Sequence, residues 1–245
     1  MSEIKDYIDN TLKSEYNFLR VLSETSTTTL KLYENKRTHK RLVYIASRLR
    51  NDEVFRALRG VRTRGYTPQV FEVSGEEDAL YVLEEFIEGE TLSDCLMQER
   101  SFTKTQIIDY LIDICTALEM IHALKIVHRD IKPENIILTK DKAVLIDFSA
   151  AKMITNKSAD TVNLGTAGFA APEQYGISQS LPTADIYALG VLANILLLGV
   201  HPTSSVPKGY LGGIIRKCTQ TQTAKRYQNA TQLKKALLRA KRIGI

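Results

Sequence analysis

Apolar residues recur at two different spacings along the chain, and the change between them predicts where strands give way to helices. A helical spacing over 3–12 and again over 52–61 predicts two short helices near the start. β-Branched and alternating stretches predict a hairpin over 18–44 with a charged turn, and two more strands at 70–73 and 80–83. We therefore expect the front of the chain to form a small antiparallel sheet.

Beyond residue 89 the spacing becomes mainly helical. The pattern predicts helices from Thr91 onward, over 101–124, over 185–198 and over 231–240. Ser101 and Thr103 are both candidates for the cap of the second helix. A strand-rich front followed by a helical back predicts a two-lobed α+β chain, with the N-lobe and its short helix over 1–86 and the C-lobe over 87–245.

Composition places the chain among ordinary globular proteins. It has 245 residues, of which 44% are hydrophobic and 25% are charged, and this excludes disordered, collagen-like and disulfide-scaffold classes. Three cysteines without a C-x-x-C pair indicate reduced thiols rather than a zinc site.

The sequence also suggests where the protein works and what it does not bind. The start lacks the apolar core of a signal peptide, and the apolar stretch 186–200 is short for a membrane span. We therefore expect a cytoplasmic protein with no membrane segment in this chain. The basic segment 36–64 lacks interleaved aromatic residues, so nucleic acid is not an expected partner. The oligomeric state is left open.

The segment from His128 to Asn135, with sequence HRDIKPEN, concentrates chemically useful side chains. Asp130, Lys132 and Asn135 stand within six residues, and Asp147 follows twelve residues after Asn135. Phosphoryl transfer needs a carboxylate to orient a hydroxyl, oxygen ligands for Mg²⁺ and a cation on the moving group. This segment supplies all three.

The same segment closely resembles the catalytic loop H-R-D-x-K-P-x-N of eukaryotic-type (Hanks-type) protein kinases, in particular compact bacterial serine/threonine kinases. Three further motifs follow in the family's order: GTAGFAAPE at 165–173, DIYALG at 185–190, and a late arginine, Arg226. Each motif alone is weak, but their order over most of the chain is specific. The resemblance implies a protein-kinase fold, with a small antiparallel N-lobe sheet and a mostly helical C-lobe.

The resemblance also implies a role for each residue of the loop. Asp130 would be the catalytic base, Lys132 would bridge Asp130 and the γ-phosphate, and Thr166 would hydrogen-bond both. Asn135 and Asp147 would hold Mg²⁺.

Two features of the activation segment are implied in the same way. Glu173 and Arg226 would form a structural ion pair. Thr155, Ser158 and Thr161 are candidate phosphorylation sites, although such residues are equally common in any exposed loop.

The front of the chain departs from the family pattern. The glycine-rich loop aligns with Ser23, Thr25 and Thr28, so all three glycines are replaced. Glycine lets backbone N–H groups approach phosphates closely, and stiffer β-branched residues should cradle them less tightly.

The strand lysine of the family is missing as well. The best match of V-A-I-K places Ala46 at the lysine, and a shifted register places Arg48 there. Glu53 would be the helix partner of that position, or a solvated acid in a helix first turn.

The hinge pattern, by contrast, is recognisable. The backbones of Glu85 and Ile87 would hold adenine, and Leu22, Leu30 and Ile137 would sandwich its ring. Glu84 falls at a position that is usually apolar in the family.

Taken with the family resemblance, these residues predict an enzyme that uses ATP and Mg²⁺ to phosphorylate a protein serine or threonine. The alternatives are a pseudokinase that binds nucleotide or acts as a scaffold, or a kinase silenced by an engineered Lys→Ala change at Ala46.

Overall fold

The computed structural model describes residues 3–154, 166–175 and 181–244. The chain divides after Ile87 into two compact units. The candidate phosphorylation sites Thr155, Ser158 and Thr161 lie outside the described residues, as does Gly165.

The first unit is an antiparallel sheet with two helices. The strands follow the order β1-β2-β3-β5-β4 across the sheet. The elements are α1 (Glu3–Glu15), β1 (Tyr16–Glu24), β2 (Thr28–Asn35), β3 (Arg41–Ser47), α2 (Asp52–Arg59), β4 (Val70–Gly75) and β5 (Leu80–Glu85). The prediction of a small antiparallel sheet at the front of the chain is confirmed.

Helix α1 covers one face of this sheet. Ile8 and Leu12 of α1 form a buried cluster with Leu42 and Tyr44 of β3 and Leu83 of β5. Ala46 is partly buried and packs against the same cluster. Because successive side chains of a strand point to opposite faces, the odd-numbered residues of β3 lie on the face away from α1: Val43, Ile45 and Ser47.

The second unit is mostly helical, as predicted. Its elements are β6 (Glu90–Thr91), α3 (Leu92–Met97), α4 (Lys104–Ala123), β7 (Ile126–Val127), β8 (Ile136–Leu138), β9 (Ala143–Leu145), β10 (Lys152–Met153), α5 (Pro182–Leu198), α6 (Gly209–Cys218) and α7 (Ala230–Arg242). In the described parts of the chain, no helix is both long enough and apolar enough to span a bilayer.

Side-chain caps fix where the first two helices of this unit begin. Thr91 caps α3 and Thr103 caps α4, and each accepts a hydrogen bond from the backbone N–H three residues later. In each case the third residue, Asp94 or Gln106, returns a hydrogen bond to the cap backbone. Of the two cap candidates for α4, the structure therefore selects Thr103.

Helices α5 and α6 differ from the sequence prediction. Helix α5 starts at Pro182, three residues before the predicted start, because proline suits a first helical turn.

Helix α6 was not predicted, since its sequence GYLGGIIRKC reads as a glycine-rich loop. Gly212 allows close packing there: a Cβ atom would lie 1.7 Å from the backbone oxygen of Pro207. Leu211, Ile214 and Ile215 are buried.

Candidate active site

The loop over 128–135 is held between two short strands, β7 and β8. Pro133 opens a single 3-10 turn, Pro133–Asn135, which ends as β8 begins. The backbone N–H of Ile146 donates to the carbonyl of Asn135 at 2.9 Å and ties the turn to the end of β9. The proline therefore starts a tight turn that fixes the positions of Lys132 and Asn135.

Asp130 is the centre of a hydrogen-bond network. Lys132 Nζ lies 2.8 Å from Asp130 Oδ2 and donates to Thr166 Oγ1, also at 2.8 Å. Thr166 donates to Asp130 Oδ1 from its hydroxyl at 2.8 Å and from its backbone N–H at 3.2 Å. The structure thus brings together the three residues that the sequence marks as catalytic.

Asn135 completes this network from the other side of Asp130. Its Nδ2 donates to the backbone carbonyl of Asp130 at 2.8 Å and to Asp130 Oδ2 at 3.1 Å. Both contacts use the amide nitrogen, so the amide oxygen is the atom that can face a cation.

The network keeps Asp130 ionised. Burial favours the neutral acid and would raise its pKa, but the hydrogen bonds from Lys132 and Thr166 outweigh burial. The pKa of Asp130 is therefore lower than that of an ordinary aspartate. At neutral pH the carboxylate is an acceptor that can orient a hydroxyl group.

Asp185 of α5 anchors the backbone of the loop. Its fully buried carboxylate accepts hydrogen bonds from the N–H groups of His128 at 3.0 Å and Arg129 at 2.8 Å. His122 Nε2 lies 2.8 Å from the same carboxylate. Burial raises the pKa of Asp185, but the hydrogen bond to His122 and the neighbouring histidines bring it below its usual value. Arg129 can consequently hold a left-handed backbone with φ of 72°.

Asp147 follows β9 and is exposed, with a left-handed φ of 62°. The N–H of Ser149 donates to its Oδ1 at 3.0 Å. Phe148 is buried and packs edge-on against His128, with ring centroids 5.1 Å apart. The buried phenyl ring thereby fixes the turn that presents the Asp147 carboxylate to solvent.

The oxygen atoms of Asn135 and Asp147 fit Mg²⁺ better than a metal ion whose ligands all come from protein side chains. Within the described residues, no group of three or more His, Cys, Asp or Glu side chains could bind a metal. Mg²⁺ commonly uses one or two protein oxygens and completes its shell with water and substrate phosphates. The exposed Asp147 carboxylate and the oriented Asn135 amide match that pattern.

The predicted ion pair of Glu173 and Arg226 is present. Arg226 NH1 and NH2 donate to the two Glu173 oxygens at 2.6 and 2.8 Å. Arg226 is 2% exposed and also donates to the backbone carbonyls of Thr183 and Gln220. This pair ties the turn over 172–175 to the loop that precedes α7.

Gln174 is a site residue that the sequence reasoning missed. It is buried, and its Nε2 donates to the carbonyl of Arg129 at 2.9 Å. Its Oε1 accepts from the N–H of Ala171 at 3.0 Å. The signal in the sequence was an amide side chain directly after the Ala-Pro-Glu motif. Once buried, such an amide needs defined hydrogen-bond partners.

The predicted phosphate-contact residues of the first unit lie in different surroundings. Ala46 packs against the cluster beneath α1, and Glu53 is exposed. Arg48 is also exposed and lies just after the end of β3. Ile45 instead lies opposite Leu30 in the β2–β3 pairing. Leu30 and Ala46, both predicted nucleotide contacts, therefore lie on opposite faces of the sheet, because successive residues of a strand alternate between its faces.

The remaining predicted nucleotide contacts are half-buried: Leu22, Leu30, Glu85, Ile87 and Ile137. Glu85 is the last residue of β5, and its N–H donates to the carbonyl of Gln69 at 2.9 Å. Ile137 lies at the centre of β8 and pairs with Thr91 and Val144.

Comparison with known proteins gives consistent matches. The model of the protein kinase domain matches residues 66–240. Serine/threonine-protein kinase B of Synechocystis sp. is 32% identical over 197 residues, which cover 69% of this chain and 34% of the relative. Serine/threonine-protein kinase C of the same organism is 38% identical over 144 residues, or 55% of this chain and 27% of the relative.

A third relative, serine/threonine-protein kinase PknA of Nostoc sp., is 34% identical over 160 residues, or 62% of this chain and 28% of the relative. The chain therefore spans about a third of the length of these curated relatives. The family match begins at residue 66, after β1, β2, β3 and α2.

Proposed function

Since the chain belongs to the protein kinase family, of the Hanks type, we propose that it transfers the γ-phosphoryl group of ATP to a serine or threonine hydroxyl of a protein. The relatives named above are serine/threonine kinases, and Lys132 stands in the catalytic loop as in that class. The protein substrate is defined here only by its hydroxyl group.

The observation that carries this proposal is the network around Asp130. Lys132 and Thr166 fix both carboxylate oxygens, so Asp130 can accept a hydrogen bond from the substrate hydroxyl in a set direction. The hydroxyl oxygen then attacks the γ-phosphorus while the bond to the β–γ bridging oxygen breaks. The hydroxyl proton passes to Asp130, and ADP leaves. Lys132 stabilises the negative charge of the transferred group.

Asn135 and Asp147 would hold Mg²⁺, which neutralises phosphate charge when it is bound. Asp147→Asn should therefore reduce the gain in ADP affinity that Mg²⁺ produces, as measured by calorimetric titration with and without the metal. The matched control is Asp141→Asn, because Asp141 is also exposed and lies six residues earlier. An unchanged Mg²⁺ effect in Asp147→Asn would remove Asp147 from the metal site.

The base of ATP would be held by the backbones of Glu85 and Ile87 and by the side chains of Leu22, Leu30 and Ile137. Supporting this assignment, all five residues are half-buried and so retain surface for a ligand. Ala46 and Glu53 are the other proposed nucleotide contacts; Ala46 packs against the cluster beneath α1 and Glu53 is exposed, so neither adds support to this assignment.

The decisive experiment measures phosphate transfer from γ-labelled ATP with Mg²⁺, both to the chain itself and to casein as a general acceptor. Asp130→Asn should reduce transfer about 100-fold or more, because a positioned base contributes on the order of 10²–10⁴ in rate. Asp109→Asn is the control, since Asp109 is an exposed residue of α4 that pairs with Lys241. Equal transfer by Asp130→Asn and the parent chain would contradict the proposal.

A second candidate function is nucleotide binding without transfer. The front sheet favours it, because the strand lysine of the family pattern is missing and all three glycines of the glycine-rich loop are replaced. The transfer assay and the ADP titration together separate the two functions. A binding module would bind ADP but would transfer no phosphate in the parent or in any variant.

A further inference from the structure

The last 60 residues of the chain carry side-chain charge of only one sign. Residues 186–245 contain ten lysines and arginines and no aspartate or glutamate. The preceding residues 1–185 contain 23 basic and 28 acidic side chains, so their net charge is −5, while the last segment alone carries +10. The modest total charge of the chain therefore results from a strong separation of charge along it.

Helix α7 presents part of this positive charge on its outer side. The exposed cations Lys235, Arg239 and Arg242 are spaced four and three residues apart, so they line one side of the helix. Leu238 and Ile243 are exposed beside them, each three or four residues from one of these cations. We call these five residues the α7 stripe. The buried residues of α7 lie on its other side.

The cations of the α7 stripe differ from the other two lysines of the helix. Lys234 pairs with Glu119 at 2.8 Å and Lys241 pairs with Asp109 at 2.5 Å, and both acids belong to α4. Across the ranges that the structure describes, no acid pairs with a cation of the stripe. The helix dipole favours cations near a helix C-terminus, but it explains neither the lack of acids over 60 residues nor the exposed leucine and isoleucine.

We propose that the α7 stripe docks this chain on an anionic lipid bilayer. Its cations lie among the charged headgroups, and Leu238 and Ile243 insert below them, so that α7 lies in the plane of the membrane surface. Arg216 and Lys217 are exposed on α6, which packs against α7, and they add to the positive field.

The exposed aliphatic side chains favour a bilayer over a nucleic acid. Leu238 and Ile243 gain free energy by entering the acyl boundary of a membrane, whereas single-stranded nucleic acid is bound through cations and aromatic stacking. The stripe itself contains no aromatic residue. This docking is separate from phosphate transfer, so it does not depend on the proposed function.

Sedimentation with sucrose-loaded vesicles measures the docking. The parent chain should bind vesicles of phosphatidylcholine with about one third phosphatidylserine, and should not bind phosphatidylcholine alone. Lys235→Gln, Arg239→Gln and Arg242→Gln combined should weaken binding roughly 100-fold, because each cation near such a surface contributes about a factor of five. Glutamine is a good helix former, so α7 should persist. Leu238→Ser with Ile243→Ser should weaken binding about 10-fold or more without a change of charge.

The matched control removes three exposed cations from the first unit by combining Arg37→Gln, Lys40→Gln and Arg62→Gln. It lowers the net charge of the chain by the same amount as the stripe variant and should bind vesicles like the parent. Both triple variants leave the network around Asp130 intact, so phosphate transfer to casein in solution should be unchanged. Thermal melting checks that each variant is folded.

Several results would overturn the proposal. Equal weakening by the two triple variants would show that net charge, rather than the α7 stripe, drives binding. Unchanged binding by Leu238→Ser with Ile243→Ser would show that no side chain inserts, and the stripe would then be a contact for a soluble polyanion. Failure of the parent to bind anionic vesicles would end the membrane assignment. If the parent then binds oligouridylate and the stripe variant does not, the partner is a nucleic acid.

Discussion

Asp130 shows how one residue's environment sets its chemistry. Burial alone would make this aspartate a weaker acid, and two hydrogen-bond donors reverse the effect. The donors act on different oxygens, Lys132 on Oδ2 and Thr166 on Oδ1. A carboxylate held in this way remains ionised through the physiological range and keeps a fixed orientation, which is what a group that positions a hydroxyl requires.

The hydroxyl of Thr166 gives this argument a pH-dependent test. Because the pKa of Asp130 is lowered, its carboxylate protonates only well into the acid range. Thr166→Val removes the hydroxyl donor, so burial should raise the pKa of Asp130 relative to the parent. We expect the ratio of variant to parent transfer rates to fall as the pH decreases from 8 to 5. Thr231→Val, at an exposed position of α7, should give a constant ratio, and a constant ratio for Thr166→Val would disprove the coupling.

The same residue scale explains why the two faces of β3 could not be told apart in the sequence. In the sequence, Ala46 and Ile45 are neighbours, and motif matching favours the alanine. In the sheet they lie on opposite faces, and only the α1 cluster around Ile8 and Tyr44 reveals which face is which. Nothing in β3 alone carries that information, since both of its faces are largely apolar.

At the level of elements, two helix starts could be predicted from side chains that cap the backbone. Thr91 was predicted as a start and Thr103 as one of two candidate caps, and both form capping boxes in the structure. Helix α6 was not predictable by the same logic, because no side chain caps it at Lys208 and glycine is a poor helix former. Packing of Leu211 and Ile215 into the core provides its stability instead.

The Glu173–Arg226 pair is the strongest link between elements that the sequence implied. Arg226→Ala should leave the Glu173 carboxylate without its partner, which costs about 3–5 kcal/mol for a fully buried pair. Because the Glu173 side chain is 14% exposed, we expect the lower end, about 3 kcal/mol. For a chain of this size that lowers the melting temperature by about 6–12 °C.

The control for this prediction is an exposed pair in the same unit. Lys241→Ala breaks the contact with Asp109, whose partners are 45% and 41% exposed, and should change stability by less than about 1 kcal/mol. Scanning calorimetry of both variants compares the two cases. Equal melting temperatures for Arg226→Ala and the parent would show that the buried pair adds no stability.

On the scale of the whole molecule, sequence reasoning worked best where side chains interact within a short span. Asp130, Lys132 and Asn135 lie within six residues, so their motif could be recognised in the sequence itself. Thr166 was found only through the family resemblance, because it reaches Asp130 from 36 residues away. The first unit was harder to predict, because α1 determines which face of its sheet is covered. In addition, the family match includes only the end of this unit, from residue 66.

The division of the chain into two units predicts where a destabilising change is felt. Ile8 is fully buried in the cluster beneath α1, so Ile8→Ala should cost about 2–5 kcal/mol through lost contacts and a cavity. Because each unit has its own core, that cost should fall on the first unit. We expect amide hydrogen exchange to quicken across residues 3–87 in Ile8→Ala and to stay near parent rates beyond residue 88. Arg226→Ala should show the reverse pattern.

Ile4→Ala is the control, since Ile4 is 38% exposed on the same helix and should leave exchange unchanged. Faster exchange throughout the chain in Ile8→Ala would mean that the two units unfold as one cooperative body, and the separate cores would then not act as separate units of stability.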